Sequence, residues 1–210
     1  MNRPNRIPLF PLDVVLFPGV PLPLHIFEPR YKVMTQRCLD ERLEFGVVLA
    51  RSDGIAPVGC TAEIVEVTKR YTDGQMDILT VGRSRYRIEE VLEEKPYLES
   101  QVEYVDDEPG SLDDAARVKL VALYEQCHTL LFGRRNSAFD PAPELRLSYQ
   151  IAGTLPLEVE YRQSLLETLS EAERRSQLLE HMEKWIPQLT RLDRTRKKAG
   201  GNGHGLTGRI

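Results

Sequence analysis

Between Ile7 and Tyr31 the chain reads IPLFPLDVVLFPGVPLPLHIFEPRY, six prolines in 25 residues with large apolar side chains at most other positions. Proline has no backbone N–H and disrupts helix interiors and central strands. A run this apolar still has to be buried. Together the two demands leave short strands whose prolines sit at ends, turns or sheet edges, because a proline with pre-set φ lowers the entropy lost in such positions.

The rest of the first hundred residues fits that reading. Leu22, Leu24 and Ile26 alternate with Pro21, Pro23, His25 and Phe27, the period of a half-buried strand. Phe45–Leu49 (FGVVL) is a short continuous apolar run suited to a strand covered on both faces. Two runs, 62–68 and 75–81, flank Asp73-Gly74, a dipeptide that favours a hairpin turn. Arg83, Arg85 and Arg87 then alternate with Ser84, Tyr86 and Ile88, and Leu98, Ser100, Val102 and Tyr104 mark one more strand. A single helix interrupts the series. Pro29 suits its first position with Glu28 before it as N-cap, and Tyr31, Met34 and Cys38 form its apolar stripe.

The pattern changes at the acidic segment VDDEPGSLDD, residues 105–114. Ser111 is expected to open a long helix running to Gly133 with Ala116, Leu120, Leu123, Cys127 and Leu130 on its apolar face. Asp140-Pro141 is expected to start a second, and Pro156 to precede a third through Leu169. Ser170 and Glu173 make a capping box for the last helix, whose face is Leu178, Met182, Ile186 and Leu189, and which Pro187 should kink or end. From residue 195 the chain is Gly-rich and basic, a composition that does not order itself. The expected division is a β-domain over 1–108, a helical subdomain over 109–194 and a tail over 195–210.

Charge and cysteine usage limit the function. The formal charge is −4 overall, with 13 basic against 19 acidic residues over 1–110. A weakly acidic chain is a poor partner for phosphate backbones. No apolar run approaches a bilayer span, and residues 1–4 lack a leader's apolar core, so neither a membrane nor an export signal is expected. Three scattered cysteines make no disulfide framework and suit a reducing cytoplasm.

Taken in order, the motifs IPLFPLDVVLFPGVPLPLHIFEPRYKVM, FGVVL, VGCTAEIVEV, the Asp73-Gly74 turn and VGRSRYRI resemble the LON domain, the N-terminal substrate-binding domain of Lon ATP-dependent proteases. The LHIFEPRY form is similar to that of small stand-alone LON proteins and of cereblon-type proteins. The resemblance is strong over about residues 6–105. It implies an α+β fold: a six-stranded, PUA-like pseudo-barrel with one short helix, followed by a C-terminal helical bundle. It also implies a bacterial-type cytoplasmic protein that binds unfolded or extended polypeptide segments for proteolysis, with a protease as a further partner. The sequence has no GxxxxGK[ST] phosphate loop, no GPSAG serine context and no cereblon-type zinc domain. The expectation is therefore a non-catalytic binding module needing no cofactor, an adaptor or regulator of ATP-dependent proteolysis; homo-oligomerisation is left open.

Candidate residues follow. His25, Phe27, Glu28, Arg30 and Tyr31 are the expected peptide-binding group, Glu28 and Arg30 as a polar clamp and the rings as apolar area. The competing reading is that they only fix the strand-to-helix junction. Arg83, Arg85 and Arg87 form a basic stripe that, on a PUA-like sheet, supports an RNA-binding alternative; pairing with neighbouring carboxylates is the plainer account. Cys127-His128 cannot form a nucleophile–base pair from consecutive helical positions. The four histidines have no metal-ligand spacing, and the acidic residues 106–108 with 113–114 are read as a solvated linker.

Overall fold

The computed structural model describes residues 3–108, 114–141 and 146–201. Seven strands and five helices follow one another as β1 (Arg6–Leu12), β2 (Pro21–Ile26), α1 (Pro29–Glu41), β3 (Phe45–Arg51), β4 (Gly54–Ile55), β5 (Val58–Arg70), β6 (Met76–Leu92), β7 (Glu99–Val105), α2 (Asp114–Phe132), α3 (Leu147–Thr154), α4 (Val159–Glu167) and α5 (Glu171–Gly201). The sheet is mixed. Its pairing path β1–β7–β6–β5–β3 returns to β1 through a parallel β1–β3 contact, closing a circuit of five strands. β2 pairs with the first part of β6 and β4 is a two-residue hairpin partner of β3, so the sheet has seven strands rather than the expected six and is not a regular barrel. Register shifts in β5 at Cys60/Ala62, Ile64/Glu66 and Val67/Lys69 help it curve, since a bulge bends its strand and raises the local twist.

The prolines of the opening stretch occupy the positions such a sheet tolerates. The Gly82 N–H donates to the Val20 carbonyl (3.0 Å), and the register then turns the backbone groups of Leu22, Leu24 and Ile26 toward β6. Pro21 and Pro23 fall on the alternate positions, where the missing N–H would point away from the partner strand. The hairpin turn forms where expected: Gly74 has φ +80°, and its N–H donates to the Tyr71 carbonyl (3.1 Å).

Tyr31, Met34, Thr35 and Cys38 are the buried face of α1, and Glu28 stands at its N-cap without a capping side-chain bond. Ser170 caps α5: the Glu173 N–H donates to its Oγ (3.3 Å). α2 and α3 both pack on α5. On α2, Tyr124 is buried beside the expected Leu120 and Cys127, while Leu123 and Leu130 are only partly covered. α5 continues through Pro187 instead of ending there, and residues 195–201, expected as unordered tail, extend it. The expected helix start at Ser111 lies outside the described residues, as does the rest of the tail. The second helix begins at Leu147, after the undescribed 142–145 and well beyond Asp140.

One hydrophobic core runs from Phe10, Phe17 and Phe45 in the sheet to Tyr149, Leu166 and Met182 in the helices. A buried ionic cluster fastens the same boundary. Arg85 of β6 meets Asp107 (2.7 Å) and donates to the carbonyls of Leu166 and Thr168 (both 2.9 Å). Arg174 of α5 meets Asp107 (2.9 Å) and Glu171 (2.8 Å) and lies over the Tyr149 ring at 4.2 Å. Asp107 thus serves the arginine cluster at the junction between sheet and helices.

Candidate functional site

The expected peptide-binding residues sit where β2 passes into α1, beside the start of β6. Register places His25 opposite Asp77 and Ile26 opposite Met76. His25 Nδ1 lies 2.5 Å from Asp77 Oδ1 and the Tyr71 hydroxyl donates to Asp77 Oδ2 (2.8 Å). An ionised carboxylate only accepts, so the shared proton belongs on Nδ1. These bonds, His25 first and Tyr71 second, hold the Asp77 carboxyl below its usual range. His25 also stacks on Phe27 (5.9 Å between centroids) and meets Tyr71 edge-on (5.8 Å). Three rings therefore step from Phe27 through His25 to Tyr71.

Tyr71 lines a groove of about 630 Å³ between the exposed side of α1 and the β5–β6 turn. Lys32, Val33, Gln36 and Arg37 form the α1 wall; Arg70, Gln75 and Met76 form the other. Val33 is 54% and Phe27 57% exposed, apolar groups that the core does not use. Lys32 Nζ donates to the Asp73 carbonyl (3.0 Å), tying helix to turn across the groove.

The five expected residues part company here. Phe27 and His25 face outward. Glu28 and Arg30 pair with each other (2.9 Å), and Arg30 lies over the Tyr31 ring at 4.6 Å. Tyr31 is 6% exposed and packs on Phe10 with centroids 4.1 Å apart. Its burial raises the phenol's pKa and makes it framework rather than contact surface. Val33, Tyr71 and Arg70 escaped the sequence reading. Val33 had a usable signal, an apolar residue off the Tyr31–Met34–Cys38 stripe; Tyr71 and Arg70 come to α1 only through the hairpin.

The basic stripe is not a free surface. Arg83 meets Glu63 (2.5 Å), Arg85 is buried against Asp107, and Arg87 lies 3.8 Å from Glu103. Phosphate contacts at Arg83 and Arg87 would have to compete with these carboxylates, and Arg85 is committed to the interior. The acidic residues 106–108 do not converge on a cation either: Asp107 serves the arginine cluster and Asp106 lies 3.8 Å from Arg3. Among the described residues no three His, Cys, Asp or Glu side chains gather as metal ligands. All three cysteines are free and buried. Burial pushes Cys38 up to about 12 and Cys127 up to about 11, and raises Cys60 too, so the thiolates that nucleophilic or ligand chemistry needs are disfavoured. His128 turns from Cys127 to the Arg134 carbonyl (2.8 Å). No described helix is long and apolar enough to cross a membrane.

Comparison with known proteins identifies the family and the fold. The model of the ATP-dependent protease La (LON) substrate-binding domain matches residues 6–184. Lon protease 2 of Syntrophobacter fumaroxidans is 26% identical over 181 residues, 78% of this chain and 22% of its own length. Lon protease 2 of Herpetosiphon aurantiacus is 29% identical over 184 residues, 80% of this chain and 22% of that protein. The chain thus spans about a fifth of the length of these curated relatives. Among solved structures, a Lon N-terminal domain protein from Xanthomonas campestris superposes with a TM-score of 0.67 at 25% identity, covering 83% of this chain and 96% of that one. The N-terminal domain of a Mycobacterium avium complex Lon protease gives 0.63 at 17% identity over 85% and 98%, a likeness of fold. With the family model matched along most of its length, this chain belongs to the LON substrate-binding domain family.

Proposed function

We propose that the chain is a non-catalytic module that binds extended, partly apolar polypeptide segments in the groove between α1 and the β5–β6 turn, with Phe27 as its aromatic rim. The observation that carries this reading is the pair of exposed apolar side chains, Phe27 and Val33, beside a groove walled by polar groups that can meet a peptide backbone. Binding is supported by rigidity: His25, Asp77 and Tyr71 are already bonded together, so little order is lost when a segment docks. Tyr31 contributes from below by holding α1 on the core. Buried, protonated thiols support a role without nucleophilic cysteine chemistry and suit a reducing cytoplasm. In the cell the natural role is an adaptor or regulator of ATP-dependent proteolysis, presenting segments to a protease. The PUA-like description of the sheet belongs to the same proposal, with the closed five-strand circuit as its support.

The test is anisotropy of a dye-labelled, permanently unfolded model protein titrated with the full chain and with Phe27→Ala and Val33→Asp. A loss of about tenfold in affinity, with unfolding temperature nearly unchanged, is expected, as for exposed anchors at a binding surface. Unchanged affinity in both variants overturns the assignment of this groove.

A further inference from the structure

A second cleft, of about 340 Å³ and with no lining residue in common with the α1 groove, opens between the loop after β1 and helices α3 and α4. Its walls are Val14, Leu16, Val20, Leu157 and Val159, of which Val14 and Val159 are each 37% exposed. Into this apolar setting α4 sends Arg162. The guanidinium Nη2 donates to the Val15 carbonyl (3.0 Å), Cζ lies 5.4 Å from the Phe17 ring centroid, and Nε is sealed without any partner. Among the described residues Arg162 forms no ion pair; Asp13, on the same cleft, stands exposed and out of ion-pair reach.

That arrangement is unusual for this chain. Arg162 is half-buried, whereas the buried guanidiniums Arg85, Arg174 and Arg175 each meet carboxylates directly. Burial alone lowers the Arg162 pKa, with no acid acting against it. Arginine does not shed its proton at any ordinary pH, so the desolvated charge persists and favours an incoming anion. The cleft's apolar walls require that the anion be carried on an apolar chain.

We propose that this cleft binds the C-terminal carboxylate of a polypeptide whose last residues are apolar, with Arg162 as the charge partner and Val14, Val20 and Val159 as the walls. A terminal carboxylate is attached to one chain only and enters a cleft of this size with one or two residues. An internal acidic residue would have to lead its chain out again past the walls. The inference does not rest on the α1 groove.

The probe is a dye-labelled, N-acetylated hexapeptide ending in Leu-Val, made as the free acid and as the C-terminal amide, titrated with the full chain. The acid should bind about tenfold or more tightly than the amide, the scale of a desolvated charge pair. Arg162→Met should abolish that preference, whereas Phe27→Ala should keep it, which separates this site from the groove. Equal binding of acid and amide, or a preference that survives Arg162→Met, overturns the proposal. Should Arg162→Met fail to fold, Val159→Asp decides: a carboxylate at the rim should weaken the acid peptide selectively, and an unaltered preference counts against the site. Octanoate that displaces the peptide at equal concentration overturns the assignment to polypeptide ends.

Discussion

Arg85 of β6 and Asp107, just past β7, form an ion pair of 2.7 Å in which the arginine side chain is 1% exposed. The same carboxylate oxygen takes Arg174 from α5 (2.9 Å) and the Tyr149 hydroxyl (2.9 Å), so one acidic side chain ties sheet, α3 and α5. Removing it leaves two buried arginines short of an acceptor. Asp107→Ala, which removes both the charge and the acceptor, is expected to cost ~3–5 kcal/mol, the usual penalty for breaking a buried pair from one side. Because the core is shared, sheet and helices should still unfold together. Denaturant curves from far-UV circular dichroism and from the single tryptophan, Trp185 on α5, should coincide; separate midpoints would show that the two parts fold independently.

Glu99 supplies a pH-dependent contribution. Its carboxylate, 3% exposed, is bonded by Lys95 (3.0 Å), Arg6 (2.6 Å) and Arg37 (2.7 Å). Burial acts to raise its pKa, but the three cationic partners outweigh it and the pKa falls from 4.5 to about 2. A folded-state pKa below the unfolded one adds stability that is fully present above pH ~4.5 and is lost as pH falls toward 2. Glu99→Gln should therefore lower stability near neutrality by ~3 kcal/mol. It should also flatten the acid limb of the stability curve between about pH 4.5 and 2, measured by urea unfolding at stepped pH.

Tyr86 fills the interior of the closed circuit, its hydroxyl donating to the Val47 carbonyl (3.1 Å). A Cβ on Gly46 or on Gly59 would overlap that phenol. Gly46→Ala is expected to destabilise by ~1–3 kcal/mol through overpacking, read as a shift in denaturant midpoint. Tyr86→Phe, which keeps the ring and loses one hydrogen bond, should cost only ~1 kcal/mol.

Tyr31 and Phe27 should behave in opposite ways although only four positions separate them. Tyr31→Ala empties a core site against Phe10 and is expected to cost ~3–5 kcal/mol while leaving affinity per folded molecule unchanged. Phe27→Ala should leave stability within ~0.5 kcal/mol, as for an exposed position. Thermal melts set beside the binding titrations distinguish the two.

Local order was legible in the chain itself. Alternation marked β2, Asp73-Gly74 marked the hairpin, the Tyr31–Met34–Cys38 spacing marked α1, and Ser170 with Glu173 marked the start of α5. Each depends on the conformational preferences of a few neighbouring residues, and the ordered motifs were enough to place the chain in its family. What joins distant segments was not. β1 pairing with β3, the seventh strand and the helical course of α5 through Pro187 follow from which surfaces meet, and packing on α2 and α3 outweighs one lost helical hydrogen bond. The residues proposed for binding divide in the same way. Sequence located the segment His25–Tyr31, but only the tertiary structure set Tyr31 inward and Phe27 outward and brought Tyr71 and Val33 to one groove. It also paired the stripe Arg83–Arg85–Arg87 with carboxylates and left Arg162 without one. Whether a charge is neutralised depends on residues tens of positions away, and no local pattern carries that information.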